Sequence, residues 1–223
     1  MKGIVIAVLV ILSWGLIFAV VDAWCVPVNM VGVSSNYQQT GVPGSITLSR
    51  QLQEKVHRVA VKRLASRGVP VELGWFKAVS DPFPGFRVTN YLEVIYDEFS
   101  SWYFRANDKR YIANRSIAHI LAPPFIVNGK RFIGGVALQN SCRTGGFSYS
   151  NATPVNSSGV NRIPHSINEA MHEILHALGA EHDQSKPNVM DENASLALDK
   201  LIIAGEARQL PILPETLKQL KRC

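Results

Sequence analysis

Residues 172–183 read HEILHALGAEHD, which sets His172, His176 and His182 at intervals of four and six around Glu173 and Gly179. The chain has six histidines in all, so half of them fall within eleven positions. Two bland explanations stand beside a chemical one: a bare HExxH arises by chance, and a helix with His and Glu on one side is often a solvated face. The longer pattern H-E-x-x-H-x-x-G-x-x-H is harder to dismiss, since background composition gives it in roughly one chain in 10⁵. On a helix, residues four apart share a face, so the His172 and His176 imidazoles can reach one ion. Gly179 sits where a helix end needs a left-handed residue, and the turn it allows can return His182 to the same ion. Three neutral imidazoles suit tetrahedral Zn2+ with a fourth position open, the mark of a catalytic rather than a structural site. Glu173, next to the first ligand, is placed to act as the base toward water.

These side chains need a helix, and the sequence supplies one. Ile167, Met171, Ile174 and Leu178 recur at helical spacing and predict its buried face. Ser166 and Glu169 form a capping-box pattern after Pro164, which predicts a helix start at Ile167. Upstream, CVPVNMVGV (Cys25 to Val33) and VELGWFKAV (Val71 to Val79) read as strands, with a third in RSIAHILA (Arg115 to Ala122). Between the first two, Leu48, Leu52, Val56, Val59, Ala60 and Leu64 predict an amphipathic helix ending near Gly68. NYLEVIYDEFSSWYF predicts another, opened by Asn90 and Glu93. Asn128-Gly129 signals a hairpin that runs into strand-like Phe132 to Leu138. The Ser/Asn/Gly-rich stretch from Cys142 to Asn161 reads as a loop. The C-terminal third reads as helical, broken by Pro211 and Pro214. Alternating strands and helices argue for an α/β fold with a mostly parallel sheet.

Composition bounds the remaining classes. At 223 residues, 47% hydrophobic and 18% charged, the chain is long and apolar enough for one globular domain. Its net charge of +6 gathers in Arg50 to Arg67, but there the bases fall between apolar core positions. That is a solvated helix face, and no nucleic-acid partner is expected. Residues 3–21 carry no charge, which predicts either a cleaved signal peptide or an uncleaved membrane anchor over residues 1–23. Small residues at Val21 and Ala23 suit cleavage after Ala23. Residues 24–223 are then the folded domain, secreted or held at the cell surface. Export makes Cys25, Cys142 and Cys223 eligible for disulfides. It also makes the N-x-[ST] triplets at Asn114, Asn151, Asn156 and Asn193 eligible for glycosylation.

Eight residues past His182 stands Met190, in KPNVMD. With that methionine the pattern resembles the metzincin zinc metallopeptidases. Asp183 after the third histidine, and GGVALQNSC, resemble the reprolysin (adamalysin) branch; the short spacing to Met190 is similar to that of matrixins. Most members of both groups carry glycine where this chain has Leu175. The resemblance implies a twisted, mostly parallel sheet with an antiparallel edge strand, an active-site helix and a small C-terminal helical subdomain. It implies zinc on His172, His176 and His182, Glu173 as the catalytic base, and Gly179 and Met190 as structural supports. An extended protein or peptide substrate would lie along Gly135, Val136 and Ala137, and a disulfide would join Cys142 to Cys223. The expected activity is endopeptidase cleavage of extracellular proteins. The alternative is a non-catalytic, zinc-stabilised binding or adhesion domain at the cell surface.

Overall fold

The computed structural model describes residues 25–33, 49–79, 115–122, 126–127, 130–131, 135–137, 142, 146–151, 163–185, 187–203 and 209–220. The apolar N-terminal run, the helix expected from Asn90, the Asn128-Gly129 turn itself and Cys223 lie outside these residues. Among the described residues, no helix is long and apolar enough to cross a membrane.

The architecture is mixed α/β. Strand β1 (Val26–Val33) pairs in parallel with β2 (Val71–Val79) on one side and β3 (Ile117–Ala122) on the other. β3 pairs in parallel with β7 (Gly146–Asn151), and β7 pairs antiparallel with β6 (Gly135–Ala137). The order is therefore β2-β1-β3-β7-β6, with β6 at one edge. The short strands β4 (Ile126–Val127) and β5 (Lys130–Arg131) form a separate hairpin. The β1–β2 register shifts between Val28 and Met30, where the Asn29 side-chain oxygen accepts from Trp75 N at 3.2 Å. The displaced backbone amide thus keeps a partner.

β7 corrects the loop expected between Cys142 and Asn161. Its sequence, GFSYSN, is poor in branched apolar residues, yet it lies between two strands that both bond to it. Strand formation depends strongly on such neighbours, and the alternation of Phe147 and Tyr149 with serines was the local signal.

Helix α1 (Arg50–Ala65) is capped by the Ser49 hydroxyl, which accepts from Leu52 N at 3.2 Å. It stops in a turn at Gly68 (φ 83°), where Val69 N donates to Leu64 O and Gly68 N to Ala65 O. This pair of bonds closes a helix end around a left-handed residue. Its buried face comprises Gln53, Val56, His57, Ala60, Val61 and Leu64, rotated from the expected stripe, with Leu52 and Val59 only partly buried.

Helix α2 (Ile163–Ala177) carries the histidine motif. It begins a turn earlier than the Ile167 start expected from the capping-box pattern. Pro164 is its second residue, where a fixed φ and a missing N–H cost nothing. Ser166 and Asn168 therefore lie inside the helix, and Asn168 Nδ2 donates to Pro164 O at 2.9 Å. Ile167, Met171, Ile174 and Leu178 are buried, as their spacing predicts. They join one core with Val56, Ala60 and Leu64 of α1 and with Val28, Met30, Ile117 and Leu121 of the sheet. Burying each large aliphatic side chain contributes about 1.5–3 kcal/mol.

Two short helices follow, α3 (Ala194–Ile203) and α4 (Pro214–Gln219). Pro211 lies between them, but Pro214 opens α4 rather than breaking a helix. The segment joining them is fastened to the motif helix and to α1. Leu210 N donates to Asn168 Oδ1 at 3.3 Å, and Arg67 donates to Leu210 O at 2.9 Å. Cys142 is wholly buried, whereas Cys25 is exposed and free.

Candidate metal centre

The last turn of α2 shapes the site. Gly179 adopts φ 101°, Gly179 N donates to His176 O at 2.9 Å, and Ala180 N to Leu175 O at 3.0 Å. These two bonds reverse the chain within four residues and return His182 to the helix. Leu175, where the resembled families carry glycine, is fully buried in the core.

His172, His176 and His182 converge. Their Nε2 atoms form a near-equilateral triangle, 3.0 Å between His172 and His176, 3.1 Å between His176 and His182, and 3.2 Å between His182 and His172. The outer nitrogens settle the tautomers of two rings. His172 Nδ1 lies 2.6 Å from Val189 O, and His176 Nδ1 lies 2.7 Å from Ala180 O. A carbonyl only accepts, so each Nδ1 carries the hydrogen and each neutral ring presents a bare Nε2 lone pair. Two bare lone pairs 3.0 Å apart repel, and a shared cation relieves that repulsion. Nitrogen ligands about 2.0–2.1 Å from a tetrahedral zinc stand about 3.3 Å apart, close to this triangle. The donor set and its spacing therefore fit zinc.

Protons compete poorly for His172 and His176. Burial, then the neighbouring His176, lowers His172 to about 3. Burial lowers His176 as well. Both rings are thus neutral and ready to ligate at neutral pH.

Glu173 is almost completely buried, with Oε1 4.0 Å from His172 Nε2. Burial, and then the Glu169 carboxyl one helical turn away, pushes its pKa well above the usual carboxylate range. Glu169 is itself raised to about 7 by desolvation. Over Glu173 lies Gly135 of β6, so the edge strand and the carboxyl share one corner of the site. Ala137 lies two residues further along the same edge.

Met190 is completely buried in a turn, next to the Val189 carbonyl that faces His172. Asn188 organises that turn: its Oδ1 accepts from Met190 N at 2.6 Å, and its Nδ2 donates to Asp183 O at 2.7 Å. Met190 O accepts from Asp183 N at 3.0 Å, so the segment after His182 closes on itself.

Several contributors escaped the sequence. The Val189 and Ala180 carbonyls leave no side-chain signal. Asn188, two residues before Met190, matches an Asx-turn pattern and could have been read. Glu169 stands four before Glu173, a visible pairing. Glu192, with Oε1 3.4 Å from His182 Nδ1, carries no spacing signal of its own.

No family model and no curated protein matches this sequence. Solved structures do. Archaemetzincin from Methanopyrus kandleri is similar at 11% identity and a TM-score of 0.52, over 87% of this chain and 92% of that one. Metalloproteinase-II from Bacteroides fragilis is similar at 14% identity and a TM-score of 0.50. That match takes in 88% of this chain and 52% of the other. At such identities the likeness is one of fold alone, shared with an archaemetzincin and a metalloproteinase.

Proposed function

We propose that the chain is a zinc-dependent endopeptidase of metzincin type, acting on protein or peptide substrates outside the cytoplasm. The observation that carries this reading is the convergence of three imidazole Nε2 atoms beside a buried carboxyl under an edge strand. Zinc, when bound, supplies a Lewis acid that acidifies water and polarises a carbonyl. His172, His176 and His182 would hold it.

Glu173 supplies the base. A carboxylate with a raised proton affinity, buried against Gly135, accepts the proton of a water as its oxygen attacks the scissile carbonyl carbon. It then delivers that proton to the amide nitrogen as the C–N bond breaks. The backbone of Gly135–Ala137 offers ladder groups to an extended peptide, with no partner on the outer side of β6 among the described residues. Met190 and Gly179 support the ligands through the turns they occupy.

Within this reading, residues 1–23 are a signal or anchor and residues 24–223 the peptidase domain, secreted or tethered at the surface. The reprolysin-like features support that branch, and the short span to Met190 sets the chain apart within it.

The test compares zinc content and peptide cleavage in wild type, Glu173→Gln and His176→Ala. Glu173→Gln should keep zinc and lose at least about two orders of magnitude in cleavage rate. His176→Ala should lose both. Zinc binding by wild type without cleavage of any peptide in a broad library would instead favour the binding-domain alternative.

A further inference from the structure

The three ligands are not held alike. His172 and His176 are fixed by backbone carbonyls at 2.6 and 2.7 Å, one from the turn at Val189 and one from the helix end. His182 has no such anchor among the described contacts. It stands beyond the helix on the surface, and its Nδ1 faces a side chain, Glu192 Oε1, at 3.4 Å. The other oxygen of that carboxylate, Oε2, accepts from Gln184 Nε2 at 2.7 Å. Gln184 and Glu192 thus bracket the closed segment from His182 to the start of α3. That segment is pinned by Asp183 N to Met190 O and by Asn193 N to Asp191 Oδ1 at 2.8 Å.

We propose that Glu192 is a positioning residue for the third metal ligand: with Gln184 orienting it, its carboxylate holds the His182 ring so that Nε2 points at the other two. This rests on the triad being a zinc site. Imidazole ligands generally present their outer N–H to a carboxylate or carbonyl, which fixes ring and tautomer together. Two of the rings use carbonyls that no side-chain change can remove, while the third uses a side chain. His182 and Glu192 are 41% and 54% exposed, so their attraction in isolation is weak and screened. Its consequence lies in fixing one ring, which makes this arm the adjustable one. Metal retention should therefore depend on Glu192 and weaken as ionic strength rises.

The experiment measures zinc affinity by chelator competition on the full chain, for wild type, Glu192→Gln, Glu192→Ala and Gln184→Ala. Melting temperatures of the zinc-free forms and absorption spectra of the cobalt-substituted forms accompany it. Both Glu192 variants should bind zinc about 10- to 100-fold more weakly, with Ala worse than Gln. Gln184→Ala should show a smaller loss in the same direction. The cobalt spectra should shift, and the zinc-free melting temperatures should stay together. Zinc affinity within twofold of wild type in Glu192→Ala overturns the assignment. So does a zinc-free Glu192→Ala that melts well below wild type, which would make the residue structural. If wild type itself holds no zinc, the peptidase reading fails and takes this assignment with it, whereas an intact wild type with unaffected variants sinks this assignment alone.

Discussion

Gly135 on the edge strand and Glu173 on the motif helix fill adjoining space: a Cβ at position 135 would lie 2.5 Å from Glu173 Oε1 and 2.6 Å from its Cδ. No real Cβ tolerates that separation, so any other residue at 135 must push the carboxyl or the strand aside. The glycine is therefore a requirement of the base on α2, besides exposing strand backbone at the edge.

Gly135→Ala should accordingly spare the metal and impair the chemistry. The atoms nearest that Cβ all belong to Glu173 and none to a ligand, so zinc content should match wild type. Displacing a catalytic group by about 1 Å can cost about 10²-fold in rate. Steady-state cleavage of a reporter peptide, with zinc measured on the same sample, checks this. A variant with wild-type turnover would show that Glu173 does not act from its observed place.

Gly179→Ala should act on the ligand loop instead. With φ 101°, this position lies where a side chain costs about 1–2 kcal/mol. The strain falls on the reversal that returns His182, so both the zinc-free stability and the zinc affinity should drop. Urea unfolding of the zinc-free protein and chelator competition separate the two effects. Unchanged stability would mean that the turn relaxes without loss.

Much of this was legible in the sequence, and the reason is locality. The triad is encoded by intervals of four and six on one helix and one turn, so spacing alone carries it. β1, β2 and β3 are apolar enough to announce themselves. β7 is not, because its strand character comes from β3 and β6 on either side. The start of α2 differs from the sequence pattern because Ser166 and Glu169 imitate a cap while Pro164 already lies in the first turn. The carbonyl anchors and Glu192 are contacts between turns, and no pattern along the chain encodes them. The strand at Gly135 is legible in Phe132 to Leu138, but its place at the edge comes only through a family resemblance, and its fit against Glu173 is a property of three dimensions.

Acid should expose a second histidine pair, between α1 and the sheet. His57 is buried on α1 with its Nε2 2.7 Å from Val28 O, and burial lowers its pKa. His119, wholly buried on β3, is lowered to about 3 by burial and then by His57. Its folded pKa lies below the unfolded value of 6.5, so between pH 6.5 and about 3 the unfolded chain takes up the proton first. Stability from this group is full above pH 6.5 and falls by up to about 1.4 kcal/mol per pH unit below it. Raised carboxyls such as Glu169 oppose the trend, so the difference between variants is the clean measure. Relative to its own deficit at pH 7, His119→Gln should gain on wild type by about 2 kcal/mol at pH 5. Urea unfolding of zinc-free proteins at both values tests it, and a pH-independent difference would refute the buried-neutral state.

The last prediction concerns how the C-terminal segment is kept against the motif helix. Non-covalent ties already bind it: Val189 N donates to Pro211 O at 2.9 Å, Glu181 N to Gln219 Oε1 at 2.9 Å, and Leu210 N reaches Asn168. Each is a single hydrogen bond, worth about 0.5–1.5 kcal/mol net. Val189 and Ala180, which anchor two ligands, sit beside these ties, so loosening the segment would loosen the site. A disulfide from the buried Cys142 to Cys223, the pairing implied by the family resemblance, would hold the chain end with more authority. Closing a loop of about 80 residues stabilises by about 4 kcal/mol on the chain-entropy account. Non-reduced peptide mapping should therefore recover Cys142 joined to Cys223 within one chain, with Cys25 alkylated freely. Cys142→Ser should lower the melting temperature by several degrees and weaken zinc retention together. A recovered Cys25–Cys142 peptide would refute the pairing, and an unchanged melting temperature would show that the hydrogen bonds suffice.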